Sequence, residues 1–122
     1  MESRSSPDLQ VFFNPACSKC RTVRGILEER GLEADYVRYL EDAPTKADLE
    51  RVLTLLGADD PRSMMRTQED VYRKLELGSA DRNALLDAMV EHPILIERPI
   101  IIRGDRAIIG RPPERALELF ED

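Results

Sequence analysis

The apolar and polar positions change their period several times along the chain, and each change marks a predicted element. An apolar run over residues 9–13, bounded by turn-forming residues, predicts a buried strand. From Cys17 onward the apolar residues recur at helical spacing until Gly31, a residue type that commonly ends helices. Residues 34–40 are rich in β-branched and aromatic side chains, which favours a second strand. This part of the chain therefore predicts a βαβ unit with two parallel strands.

Helices dominate the predicted middle of the chain. Thr45 is a suitable N-cap, Asp48 follows at the position of a capping box, and apolar residues then share one helix face up to Gly57. Residues 61–92 contain shorter helical patterns that proline and glycine interrupt. The simplest interpretation is a helical segment inserted into an α/β pattern.

Two short strands and a helix are predicted at the end of the chain. Residues 100–102 and 107–109 are apolar, and the Gly104-Asp105 pair between them is typical of a hairpin turn. Two prolines begin a predicted helix over residues 112–120. The residues of this helix predicted to face inward are Ala116, Leu117 and Phe120. The whole order predicts an α/β protein with a mixed four-stranded sheet covered by helices.

Length and composition limit the classes of protein to which this chain can belong. A chain of 122 residues has the size of one domain, expected over residues 9–122 after a polar tail at residues 1–8. No apolar run approaches the roughly 18 residues of a membrane span, and the tail lacks the apolar core of a secretory signal, so a soluble cytoplasmic protein is expected. The formal net charge of −6 argues against broad binding to nucleic acid.

The two cysteines of the chain, Cys17 and Cys20, stand close together where the first strand gives way to the first helix. In a reducing compartment such a pair points to catalysis, redox sensing or metal binding before a structural disulfide. A tetrahedral zinc site needs four ligands, and the chain adds only the distant His92, so no metal site is expected. A packing role remains an alternative, above all for Cys20.

Cys17 is the predicted nucleophile. Its sulfur is expected beside the unpaired amides and the positive dipole end of the helix, and Lys19 and Arg21 add nearby positive charge. Such surroundings lower the pKa of a cysteine below its usual ~8.5. Cys20 lies about one helical turn further on, where it is placed to attack an oxidised or substituted Cys17 and form a disulfide.

Arg66, Arg98 and Arg111 are candidates for a cationic pocket. Arg98 precedes Pro99 at the start of a strand, where a cis peptide bond would make a sharp turn, and this loop is expected to face Cys17 across the end of the sheet. Guanidinium groups bind tetrahedral oxyanions through two hydrogen bonds at once. A thiolate beside such a pocket predicts attack on an oxyanion, although each arginine could instead be a solvated surface residue.

Four segments, "NPACSKCR", "MMRTQEDVYRKLEL", "HPILIERPIII" and "IIGRPPERALELF", together resemble the ArsC-type arsenate reductases of the glutaredoxin-dependent class, from Leu9 to Phe120. The resemblance implies a thioredoxin-like fold with a helical insertion. It also implies that Cys17 is the nucleophile and that Arg66, Arg98 and Arg111 bind the anion. In the implied reaction Cys17 attacks arsenate, glutathione serves as co-substrate with no bound cofactor, arsenite leaves, and glutaredoxin regenerates the thiol.

Two positions depart from the family pattern. Phe13 stands where members often carry histidine, so activation of Cys17 is expected to depend on the helix terminus, Asn14 and nearby cations. Cys20 occupies a place where members typically have no cysteine. It could resolve Cys17 internally, and thioredoxin or glutaredoxin would then reduce the resulting disulfide.

The CxxC pair also resembles the redox switch of the Spx regulators, which share the fold and bind RNA polymerase. A third hypothesis is a general thiol-disulfide oxidoreductase, for which Cys17, Cys20 and Pro99 would suffice. Arsenate reduction ranks first, because neither a switch nor a general oxidoreductase needs an arginine pocket.

Overall fold

A computed structural model describes residues 9–120, so the predicted tail over residues 1–8 lies outside the described part of the chain. The chain divides into two compact units, Met1–Arg38 with Arg98–Asp122, and Tyr39–Glu97. Single-domain organisation stays a prediction.

The first unit contains a mixed four-stranded sheet with the strand order β2-β1-β3-β4. β1 and β2 are parallel, while β1 with β3 and β3 with β4 are antiparallel, which confirms the predicted βαβ unit and hairpin. The strands are β1 Leu9–Phe12, β2 Asp35–Val37, β3 Ile100–Arg103 and β4 Arg106–Ile109.

Helix α1, Ser18–Glu29, crosses from β1 to β2. It ends before Gly31, whose φ of +69° lies in the left-handed region that favours glycine. The apolar face of α1 packs on the sheet because its buried residues share one side of the helix. The core of this unit contains Leu9, Val11, Phe13, Cys20, Val23, Leu27, Ile101, Ala116 and Leu119.

The predicted C-terminal helix exists, but Pro113–Phe120 is a 3₁₀-helix. Ala116 and Leu119 are its buried residues, whereas Leu117 and Phe120 are partly exposed. With three residues per turn, positions i and i+3 share a face, which explains why Leu119 replaces the predicted pair. Arg103 of β3 fixes the end of this helix by donating to the Leu119 carbonyl at 2.7 Å.

The second unit is helical. Its elements are α2 Lys46–Leu55, 3₁₀-helix Pro61–Met64, α3 Asp70–Lys74, 3₁₀-helix Leu77–Ser79, α4 Arg82–Glu91 and 3₁₀-helix Pro93–Leu95. α2 begins with the predicted capping box, in which the Asp48 amide donates to the Thr45 hydroxyl at 3.1 Å and the Thr45 amide to the Asp48 carboxylate at 3.0 Å. The predicted insertion over residues 61–92 was too short, because α2 packs against α4 and belongs to the same unit.

Arg62 ties several parts of the helical unit together, a role that the sequence analysis missed. Its Nε donates to the Tyr72 hydroxyl at 3.1 Å, and its Nη2 donates to the carbonyls of Leu77 at 2.7 Å and Ala80 at 3.0 Å. One side chain thus joins α3 to the segment around the 3₁₀-helix Leu77–Ser79. Among the helices within residues 9–120, none is long and apolar enough to cross a membrane.

Candidate active site

A tight loop between β1 and α1 presents Cys17. The Phe13 amide still follows the sheet by donating to the Val37 carbonyl at 2.8 Å. The Asn14 side chain then accepts from the Ala16 amide at 3.0 Å, and the Cys17 amide donates to the Asn14 carbonyl at 2.9 Å. These two bonds turn the chain into α1 and leave Cys17 as the N-cap, with its thiol half-buried.

The surroundings of Cys17 favour the thiolate. Burial raises its pKa, but the Cys20 amide, the Arg98 side chain, the Cys20 thiol and the Lys19 amide outweigh burial and hold the pKa below its ordinary value. The Cys17 side chain makes no capping hydrogen bond at the start of α1, and the amides of Cys20 and Lys19 lower its pKa without one. The expected effect of the helix terminus is therefore present, and Arg98 adds a side-chain hydrogen bond.

Three predicted contributors act differently from expectation. Lys19 lowers the pKa of Cys17 through its backbone amide, and its side chain is in an exposed residue. The Arg21 guanidinium donates to the Pro15 carbonyl at 2.9 Å. The Asn14 amide donates to the sulfur of Cys20 at 3.5 Å.

Cys20 differs sharply from Cys17. It is fully buried in the core of the first unit, and burial raises its pKa to about 11. The Asn14 amide opposes this rise, whereas the negative charge of Cys17 and the hydrogen bond between the two thiols add to it. The pair thus contains one activated thiol and one thiol held in its protonated form.

Arg98 lies beside Cys17, and Arg111 contacts the backbone of Arg98. The Arg98 side chain hydrogen-bonds Cys17, and the Arg111 Nε donates to the Arg98 carbonyl at 2.9 Å. Both residues are half-buried and precede cis peptide bonds, to Pro99 and Pro112. The first unit therefore places Arg98 beside Cys17 and Cys20, and Arg111 against the backbone of Arg98.

Gly110 allows the two arginine segments to approach closely. Its amide donates to the Pro99 carbonyl at 2.9 Å. A Cβ at Gly110 would lie only 2.9 Å from Ile101 Cδ1, 3.0 Å from Pro99 Cγ and 3.3 Å from Val23 Cγ2. Nothing in the neighbours of Gly110 along the chain reveals this tertiary contact, so the sequence did not indicate it.

Arg66 lies in the second unit, and its place in a pocket with Cys17 stays a prediction. Its amide donates to the Leu95 carbonyl at 2.7 Å, next to an isolated antiparallel bridge between Met65 and Ile96. Its Nη2 pairs with Glu69 Oε2 at 3.0 Å. Its Nη1 is buried and has no hydrogen-bond partner among residues 9–120.

Phe13, at the position where the resemblance led us to expect a histidine, is a core residue. Its ring packs edge-on against Tyr36 with 5.2 Å between ring centroids, and the Arg24 guanidinium lies 5.1 Å from its centroid. The aromatic ring is only 2% exposed. The groups that lower the pKa of Cys17 are the amides of Cys20 and Lys19, the Arg98 side chain and the Cys20 thiol, and Phe13 is not among them.

The described part of the chain contains no set of side chains suited to bind a metal ion. Residues 9–120 hold no group of three or more His, Cys, Asp and Glu side chains that could bind a metal ion. His92 lies at the end of α4, with its Nε2 4.0 Å from a Glu91 carboxylate oxygen.

The chain matches the ArsC family model over residues 12–119. An arsenate reductase of Neisseria meningitidis serogroup A is 42% identical over 110 residues, covering 88% of this chain and 94% of that protein. An arsenate reductase of Haemophilus influenzae is 42% identical over 112 residues, covering 90% and 97%.

A solved structure of arsenate reductase from Vibrio cholerae superposes with a TM-score of 0.88 at 40% identity, covering 93% of this chain and 98% of that chain. With the strand order given above, this likeness confirms the predicted α/β, thioredoxin-like fold with a helical insertion. The match of the family model and the identity to these relatives lead to one conclusion: the chain belongs to the ArsC family.

Proposed function

We propose that this chain reduces arsenate to arsenite with Cys17 as the nucleophile. The observation that carries the proposal is a thiol with a lowered pKa at a helix N-terminus, hydrogen-bonded by Arg98, which Arg111 contacts in turn. Membership of the ArsC family narrows the reaction class, because the relatives from Neisseria meningitidis and Haemophilus influenzae are named arsenate reductases. An arsenate anion suits a thiolate nucleophile beside guanidinium donors.

In the first proposed step, the Cys17 thiolate forms a bond from Sγ to arsenic. One arsenate oxygen takes up protons and leaves as water. Arg98 and Arg111 neutralise the charge of the anion and of the departing oxygen, and Arg66 is the third proposed anion-binding residue on the family pattern. Fixed donors aimed at developing charge are among the largest contributors to catalysis.

Reduction of the arsenic requires two electrons, which two thiol sulfurs supply. A second thiolate attacks Sγ of Cys17, the sulfur–arsenic bond breaks, and its electron pair stays on arsenic, so that trivalent arsenite leaves. Cys17 is then joined to the second thiol in a disulfide. Glutaredoxin or thioredoxin restores the free thiol by exchange.

Glutathione is the proposed second thiol. Cys20 is fully buried, and with a pKa of about 11 very little of it is thiolate at neutral pH. Cys20 remains the alternative second thiol within the protein. The negative charge of Cys17 is one cause of the raised pKa of Cys20, and Cys17 loses this charge once its sulfur is bonded to arsenic. Either route needs a reducing compartment, which agrees with the expected cytoplasmic location.

A second candidate function is a redox switch like that of the Spx regulators, acting on RNA polymerase through a Cys17–Cys20 disulfide. The hydrogen bond between the two thiols favours this candidate. Arg111 argues against it, because a disulfide switch does not require a second guanidinium group beside Arg98.

The deciding experiment measures arsenite formed from arsenate by the purified protein. Glutathione with glutaredoxin and thioredoxin with its reductase are supplied in parallel, with Cys17→Ser as the blank. We expect turnover that disappears in the blank, falls ~10²-fold or more in Arg111→Ala, and persists in Cys20→Ser with glutathione and glutaredoxin.

Other outcomes have definite meanings. Loss of activity in Cys20→Ser with both reducing systems would make Cys20 the second thiol. No turnover by a protein whose Cys17 is shown to react with iodoacetamide would refute arsenate reduction, and binding of RNA polymerase by the oxidised protein would then support the redox switch.

A further inference from the structure

The ion pair between Arg66 and Glu69 fixes one edge of a guanidinium group and leaves the other edge without an acceptor. Nη2 of Arg66 lies 3.0 Å from Oε2 of Glu69, and the side chains are 24% and 23% exposed. Nη1 is buried and has no hydrogen-bond partner among residues 9–120. A buried cationic donor without an acceptor is costly, so this nitrogen favours an incoming anion.

Glu69 has a local alternative that it does not use. It is the N-cap of α3, where a carboxylate can accept from the amides of its own helix. Its side chain makes no such capping bond and turns to Arg66 instead. The two residues are also linked through the backbone, since the Glu69 amide donates to the Arg66 carbonyl at 3.2 Å.

The backbone of Arg66 is fixed independently of Glu69. Its amide donates to the Leu95 carbonyl at 2.7 Å, and the adjoining Met65 forms a bridge with Ile96. Within the described part of the chain, the pair with Glu69 is the contact that holds the end of the Arg66 side chain. Without it, a long and flexible side chain would have to be ordered by the ligand.

We propose that Glu69 is a positioning residue, which holds the Arg66 guanidinium so that Nη1 is presented to the oxyanion. This inference rests on the proposed function, because it takes Arg66 as an anion-binding residue. Glu69 has two opposing effects on an anion: it orders Arg66, which favours binding, and it carries a negative charge, which opposes binding.

Two substitutions of Glu69 distinguish its ordering effect on Arg66 from the effect of its negative charge. Glu69→Gln keeps an oxygen acceptor for Nη2 and removes the charge, whereas Glu69→Ala removes both. Positioning therefore predicts a KM for arsenate that rises roughly 3- to 10-fold in Glu69→Ala, with kcat within about twofold of wild type. In Glu69→Gln the KM is expected at or below the wild-type value. A residue that acted through charge alone would lower KM in both variants.

Asp70→Ala is the matched control. Asp70 is the next residue and also carries a carboxylate, but it pairs with Arg73, and the two side chains are 76% and 70% exposed. We expect its KM for arsenate to stay at the wild-type value. An unchanged KM in Glu69→Ala, or a lower KM in both Glu69 variants, would overturn the positioning role.

A binding measurement separates this inference from the proposed function. In the Cys17→Ser background, which cannot turn over, the increase of Tm with added arsenate reports anion binding directly. We expect a smaller increase with Glu69→Ala and an undiminished increase with Glu69→Gln. If the wild type does not reduce arsenate but shows this pattern, arsenate reduction fails and the positioning role stands. If arsenate shifts no Tm, or shifts all variants equally, the positioning role is wrong.

Discussion

Replacing Gly110 with alanine tests whether the close approach beside Arg111 is necessary. The new Cβ would lie 2.9 Å from Ile101 Cδ1, 3.0 Å from Pro99 Cγ and 3.3 Å from Val23 Cγ2. All three atoms belong to buried residues. The pyrrolidine ring of Pro99 has little freedom to move away, so the methyl group must displace backbone or force neighbouring side chains out of their preferred rotamers.

The magnitude follows from overpacking in a dense core. Adding one methyl group to a filled site typically costs ~1–3 kcal/mol of unfolding free energy. For a chain of this size, each kcal/mol corresponds to roughly 3–6 °C in Tm. The amide of Gly110 also donates to the Pro99 carbonyl at 2.9 Å, and a displaced backbone would lengthen this bond and shift the adjoining Arg111.

Gly25→Ala is the control, because Gly25 lies inside α1 and has no heavy atom within 4 Å of an added Cβ. Alanine there should stabilise the protein by up to ~1 kcal/mol, since it lowers the conformational entropy of the unfolded chain and favours the helix. The assay is urea denaturation of both variants with the wild type. A Gly110→Ala variant as stable as wild type, alongside the expected gain in Gly25→Ala, would refute the packing argument.

Three further predictions concern the thiols and the helical unit. Arg98→Ala should raise the pKa of Cys17, because the substitution removes a hydrogen bond that lowers this pKa. The pH dependence of iodoacetamide alkylation in a Cys20→Ser background measures the shift. An unchanged midpoint would contradict the contact between Arg98 and Cys17. Thr45→Ala should lower the unfolding free energy by ~1 kcal/mol in urea denaturation, because it breaks the capping box. Thr54→Ala is the control, since it loses only a bond to the Glu50 carbonyl within the same helix, and its unfolding free energy should stay within ~0.5 kcal/mol of wild type. The folded pKa of Cys20, about 11, lies above the ~8.5 of an unfolded thiol, so the stability that Cys20 contributes is complete below pH ~8.5 and is lost as pH rises through about 11. Between pH 8 and pH 10.5 the unfolding free energy of the wild type should therefore fall more than that of Cys20→Ala. Parallel losses in the two proteins would exclude this linkage.

Elements with strong local signals were predictable from the sequence. The capping box of Thr45 and Asp48 forms as expected, because both partners lie within one helical turn and need no distant contact. The Gly104 turn, with φ of +58°, joins two strands whose apolar runs were visible in the sequence. Cys17 at a helix N-terminus followed from the same kind of local pattern.

Features that depend on distant parts of the chain were not predictable. Arg62 reaches carbonyls more than a helical turn away, around Leu77 and Ala80, and no sequence pattern links them. The partner of Glu69 was not predictable either, because it pairs with Arg66, three residues away, although its position as the N-cap of α3 also allows a bond to its own helix. Arg62 and Glu69 each use one of several partners within reach, and the sequence does not show which one.

The activation of Cys17 shows why side-chain identity alone was an incomplete guide to the site. The sequence suggested the charges of Lys19 and Arg21 because only side chains are visible there. The groups that lower the pKa of Cys17 are the amides of Cys20 and Lys19, together with the Arg98 side chain and the Cys20 thiol. Every non-proline residue carries such an amide, so its effect depends on where the helix begins. That start is set by the Asn14 turn. A phenylalanine at position 13 is therefore compatible with an activated thiol, because the backbone amides, Arg98 and the Cys20 thiol lower the pKa of Cys17 without a side chain from that position.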